Sequence, residues 1–206
     1  MANTDNCGRT LIDRNIHMEI FMKTTELYVE YVIIGMETLC WMILLFVIVV
    51  GNPMFEFLKY CVSNIFPSIV LIGVCYILGL VMDRVSDRFF EKRKLNIKNA
   101  YAVQAETSLL IWKEYGHDTY ATFTLSRIRV LRSTILNSVF IALFGSYCTY
   151  KYYHVELLNI LILCIFITIA FASNSAHKML LENYYKKTLA LEGTNDKKDR
   201  YIEKSI

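Results

Sequence analysis

The stretch that most restricts what this chain can become is Ile65 to Arg88, IFPSIVLIGVCYILGLVMDRVSDR. Its first eighteen residues, Ile65 to Met82, carry no charge, which is about the minimum for a helix that crosses a bilayer core. At Asp83 the character reverses, and Asp83, Arg84, Asp87 and Arg88 follow within one and a half turns. No proline or glycine stands at the junction, so the pattern predicts one helix that leaves the membrane at Asp83 and runs on into water.

Three more apolar runs share the chain, and composition agrees with them. Over 206 residues the apolar share is 55% and the mean hydropathy +0.36, both high for a soluble domain. The apolar residues are blocked rather than spaced at helical or strand period. Two prolines and eight glycines favour helices, and no ten-residue alternating segments of a β-barrel are visible. The expected fold is therefore all-α: four transmembrane helices in two hairpins, with the helices extended into the cytoplasm. A net charge of +3 gives no reason to expect a nucleic-acid partner. The expected partners are the lipid bilayer, further copies of the chain and a cytoplasmic protein.

The organisation reads as five sections. Residues 1–28 form a cytoplasmic N-terminal segment with four acids and three bases in its first 26 positions. They lack the basic lead into a short apolar core that marks a cleaved signal. Within them Ile16 to Tyr28 suits either a surface helix or a helical lead-in. Residues 29–82 form the first hairpin, turning through GNPMFEFLKYCVSN, where Gly51, Asn52 and Pro53 stop the helix and Phe55, Phe57 and Tyr60 suit a headgroup belt. Residues 83–132 form a cytoplasmic helical section. There AYAVQAETSLLIWKEYG predicts an amphipathic helix ending at Gly116, and Asp118 is a candidate N-cap for the helix that re-enters. Residues 133–173 form the second hairpin, with the very short turn KYYHVE. Residues 174–206 hold an amphipathic helix closed at Gly193 and a charged tail.

Orientation follows from Lys and Arg. Twenty lie in the N-terminal, central and C-terminal sections and two in the short turns, so the termini and the central section are expected in the cytoplasm of a cell whose inner membrane the chain spans.

Two constellations stand out. Glu30 and Glu37 lie seven residues apart in the first apolar run, on one helical face. A carboxylate at membrane depth costs several kcal/mol and faces protein, water or a partner charge. As a pore or ion path, the pair would favour cations, as acidic rings do. Alternatively the span begins near Thr38 and both glutamates are interfacial. No Lys or Arg lies within the spans, so a buried Glu37 needs water, hydrogen bonds or a proton. The second constellation sets Asp83 and Asp87 against Arg127, Arg129 and Arg132, where the second span leaves and the third enters. Asp83 with Arg132 and Asp87 with Arg129 are the expected structural or gating pairs. The same arginines suit anionic lipid headgroups or an anionic effector such as a nucleotide.

Six cysteines make no C-x-x-C pair, four histidines are scattered, and no catalytic or phosphate-loop motif occurs. No metal, cofactor or enzymatic activity is expected. Cys61 and Cys148 both fall on the outer side, which leaves a disulfide open.

The run GLVMDRVSD (Gly79 to Asp87) followed by LSRIRVLRSTILN (Leu125 to Asn137) resembles poorly characterised bacterial inner-membrane proteins, some of which look like membrane effectors of anti-phage defence systems. The resemblance implies an oligomeric channel or pore that disrupts the membrane when released, with Asp83, Asp87, Arg127, Arg129 and Arg132 at the cytoplasmic gate. One four-helix bundle is too thin to enclose water, so conduction would require several copies. The competing reading is a non-conducting adaptor whose cytoplasmic section recruits a partner. A transporter fits less well, for want of an internal repeat.

Overall fold

The computed structural model describes residues 5–51, 53–101, 112, 116 and 118–203, with no strand among them. Among the described residues five helices follow in order: α1 (Asp5–Val50), α2 (Pro53–Ser63), α3 (Ile65–Ala100), α4 (Asp118–Tyr153) and α5 (Glu156–Glu203). The helices α1, α3, α4 and α5 each contain a stretch long and apolar enough to cross a membrane. The chain is an all-α membrane protein.

Each of these four helices far exceeds a bilayer. The 36 residues of α3 span about 54 Å at 1.5 Å per residue, against a hydrocarbon core of about 30 Å. The excess protrudes at the charged end, as the reversal at Asp83 demands. Continuity decides the open N-terminal alternative, joins the re-entry helix to its span as expected, and carries the last helix past its expected end. Ile16 to Tyr28 is the lead-in to α1 and not a separate helix, and the re-entry helix from Asp118 is one piece with the third span. The expected stop at Gly193 does not occur, since α5 runs on to Glu203. A lone glycine costs a helix only about 1 kcal/mol, and no proline follows it. Gly51 differs because Asn52 and Pro53 come next: it takes φ +87 and its N–H donates to Val47 O at 2.9 Å, a left-handed cap that closes α1. Pro53, which lacks the donor an N-terminal turn has no use for, then opens α2 inside what the sequence suggested was a plain turn.

The tightest pairs are α4 with α5 and α1 with α3, and the two hairpins meet mainly along α1 and α4. Among the described residues α1 and α5 make no contact, while α3 touches both α4 and α5. The most buried span is α4 and the least buried is α5. Outward faces are apolar: Ile69, Val70, Ile77 and Val81 on α3, and Leu157, Leu161, Ile165 and Phe171 on α5, are exposed as lipid contact requires.

A second core lies beyond the membrane. Trp112, Ala121, Ile128, Leu181, Tyr184 and Tyr185 are buried together, with Ile97, Tyr101 and Leu125 against them. Trp112 stacks between Tyr120 and Tyr184 and donates from Nε1 to Thr188 Oγ1 at 2.9 Å. Most of the amphipathic helix expected before Gly116 lies outside the described residues. Gly116 itself has φ +68, as a helix-ending glycine would.

Cys61 and Cys148 are free buried thiols. The open disulfide is not formed: among the described residues α2, which carries Cys61, touches α1 and α3 and not α4.

Candidate functional site

The depth of Glu37 follows from the crossing of α1 and α3. Those helices approach so closely that a Cβ on Gly35 would fall 1.6 Å from Cys75 O, and one on Gly79 1.9 Å from Tyr31 O. Gly35 thus faces Cys75 and Tyr31 faces Gly79, as antiparallel helices in register require. Two residues onward, Glu37 is level with Gly73. That is the middle of the charge-free run from Ile65 to Met82, about 15 Å of helix from Asp83. Glu37 thus stands away from the charged end, while Glu30, level with Leu80, lies near it.

Among the described residues the hydrogen-bond donors to Glu37 are neutral. Thr134 Oγ1 donates to the carboxylate, 3.0 Å from both oxygens, and Asn137 Nδ2 donates to Oε2 at 3.1 Å. Asn137, itself 1% exposed, is fully engaged. Its Oδ1 accepts from Thr38 Oγ1 at 3.2 Å and from Trp41 Nε1 at 3.0 Å. Its Nδ2 also reaches Ile34 O at 3.4 Å. The network ties α1 to α4 where hydrophobic burial offers no drive, because lipid is as apolar as the protein. It continues a polar row along α4: Ser126, Arg129, Ser133 and Asn137 recur at three- or four-residue steps, and Ser138, Ser146 and Thr149 carry polar side chains further along the helix; all but Ser126, Arg129 and Ser146 are buried.

At the charged end the helices are knotted by ion pairs: the expected Asp83–Arg132 pair forms, and the expected Asp87–Arg129 pair is replaced. Arg132 serves both aspartates: Nη2 lies 2.7 Å from Asp83 Oδ1, and Nη1 donates to Asp87 Oδ1. Arg129 turns to α1, with Nη1 2.8 Å from Glu30 Oε2 and Nε 3.8 Å from Asp83 Oδ2. Ser126 Oγ donates to the other oxygen of Glu30. The expected Asp87–Arg129 pair does not form, because Glu30 at 7% exposure occupies Arg129. A buried carboxylate needs its cation more than the half-exposed Asp87 does. Arg127 joins no ion pair among the described residues, and its guanidinium lies 4.1 Å from the centroid of the Phe123 ring.

Sequence reasoning brought Asp83, Asp87, Arg129 and Arg132 to one place, but missed three members of the site. Asn137 was visible as the lone amide in TILNSVFIALF. Trp41 and His177 gave no signal. His177 stands one turn beyond the apolar part of α5, 1% exposed, against the Phe90 ring. Burial, with the guanidinium groups of Arg93 and Arg132 nearby, lowers its pKa to about 4, so the ring is neutral at pH 7. Among the described residues no group of three His, Cys, Asp or Glu side chains is placed to hold a metal.

The chain matches no protein-family model, no curated protein and no solved structure.

Proposed function

We propose that this membrane protein is the subunit of an oligomeric channel or pore that passes cations along the α1–α4 groove and is gated by the charged knot at its cytoplasmic end. One observation carries the reading: Glu37 stands level with Gly73, midway along the charge-free run of α3, with hydrogen-bond donors around it and no cation partner among the described residues. An adaptor has no use for a carboxylate held there at a cost of several kcal/mol. Glu37 is only half-buried, so copies assembled around this groove would present a ring of carboxylates to the axis. The Lys and Arg distribution supports an orientation with both termini in the cytoplasm of the inner membrane. On the resemblance of Gly79 to Asp87 and Leu125 to Asn137, the pore would act as a membrane-disrupting effector of phage defence. The reading is non-enzymatic.

The test is conductance of the purified full chain in planar bilayers, wild type beside Glu37→Gln. Wild-type currents whose cation selectivity falls in the variant are the expected result. Identical currents in both proteins would remove Glu37 from the path. Silence from both would transfer the assignment to an adaptor, for which the packed aromatic core around Trp112 supplies a folded cytoplasmic surface.

A further inference from the structure

Where the four long helices leave the membrane they enclose a cavity of about 290 Å³. Its wall takes Tyr31 from α1, residues from Asp83 to Lys94 from α3, Leu125 to Arg132 from α4, and His177 to Tyr185 from α5. Arg84, Lys94, Arg129 and Arg132 stand on it against Asp83 and Asp87, an excess of positive charge that survives even when Glu30, behind Arg129, is included.

Two of those cations are uncommitted. Arg84 and Lys94 are exposed and form no ion pair among the described residues. Within the wall, two buried nitrogens also have no hydrogen-bond partner, Arg132 Nε and His177 Nδ1. Unpaired buried nitrogens are costly and rare, and here both belong to one wall. The remainder of the lining is apolar, aliphatic as well as aromatic, with the rings of Tyr31, Phe90, Tyr184 and Tyr185 among it. Cations and donors beside flat apolar surface are what a compact organic anion requires.

We infer that this cavity binds an organic phosphate, held by Arg84 and Lys94 at its mouth and seated between the helix ends. The phosphate arrives either on a soluble ester of nucleotide size or on the headgroup of an inner-leaflet lipid. In both cases binding would draw α1, α3, α4 and α5 together at the knot. The inference does not depend on conduction.

Binding is therefore measured directly. The purified full chain in neutral detergent is titrated with adenosine monophosphate and with inorganic phosphate, followed by thermal unfolding. In parallel it is placed in nanodiscs with or without phosphatidic acid. The variant is Arg84→Gln with Lys94→Gln, two exposed positions whose change leaves the ion pairs of the knot in place. The control is Lys178→Gln, whose side chain is exposed and, among the described residues, pairs with Glu182 alone. A saturable rise in melting temperature with the soluble ester supports a soluble ligand. A rise only with phosphatidic acid supports the headgroup. In either arm the double variant is expected to weaken binding by at least about tenfold and the control to leave it unchanged. No saturable binding in either arm overturns the inference. So does equal weakening by the Lys178 control, which would mark the effect as general charge screening.

Discussion

The closest approach in the bundle makes the sharpest mechanical prediction. Replacing Gly35 by alanine puts a methyl 1.6 Å from Cys75 O, where ordinary contact begins at 3.4 Å. The obstacle is backbone, so no rotamer change relieves it, and α1 must move off α3 by about 1.8 Å. A gap of even 0.5–1 Å forfeits a quarter to a half of the dispersion energy of the surfaces involved. In a membrane that packing is most of what holds two helices together. Gly35→Ala is therefore expected at the upper end of overpacking costs, about 3 kcal/mol. Gly73 is the matched control, on α3 and with nothing within 4 Å of its Cβ position. Gly73→Ala keeps only the propensity gain of about 1 kcal/mol. That gain is common to both variants, so they should differ by the overpacking cost alone, roughly 3 kcal/mol. The assay is SDS titration of the detergent-folded protein, read by loss of helix and by tryptophan emission. Gly79→Ala meets Tyr31 O at the same crossing, so the double variant should cost little more than either single one. If Gly35→Ala and Gly73→Ala unfold together, the close crossing is refuted, and with it the depth assigned to Glu37.

Two further outcomes follow from the knot and the aromatic core around Trp112. Asp83 is buried and Asp87 half-exposed, though Arg132 holds both, so Arg132→Met should destabilise by about 3–5 kcal/mol, and Asp83→Asn should cost more than Asp87→Asn in the same SDS titration. Exchanging Asp83 and Arg132 should recover only part of the loss, because the new aspartate would face Asp87; full recovery would show that Asp87 is not a partner. Trp112→Phe keeps the stacking on Tyr120 and Tyr184 but loses the 2.9 Å bond to Thr188, for an expected 0.5–1.5 kcal/mol. Thermal unfolding of the purified chain measures it, and no change in melting temperature would contradict the bond.

What could be read from the residues alone was whatever depends on composition over a run of about twenty positions. Solvent transfer energy sums along a helix, so Ile65 to Met82 reads as a span whatever packs beside it, and the reversal at Asp83 marks where that span ends. The same reasoning brought Asp83, Asp87, Arg129 and Arg132 together, because charges at the ends of adjacent spans must share a depth. Pairing was a different matter. Which aspartate Arg129 takes depends on the rotation of each helix about its axis, and that is set by contacts such as Gly35 against Cys75, which join positions forty residues apart. The depth of Glu37 was undecided for the same reason: a carboxylate seven residues into an apolar run can start the span or lie within it. Only the register of α1 against α3 places it level with Gly73, and only the approach of α4 supplies Thr134 and Asn137 to hold it there. Helix boundaries fell between the two. Gly51 and Gly193 are the same residue in the sequence, and the chain stops at one and passes the other because a neighbouring proline, not the glycine, decides whether the helix can continue.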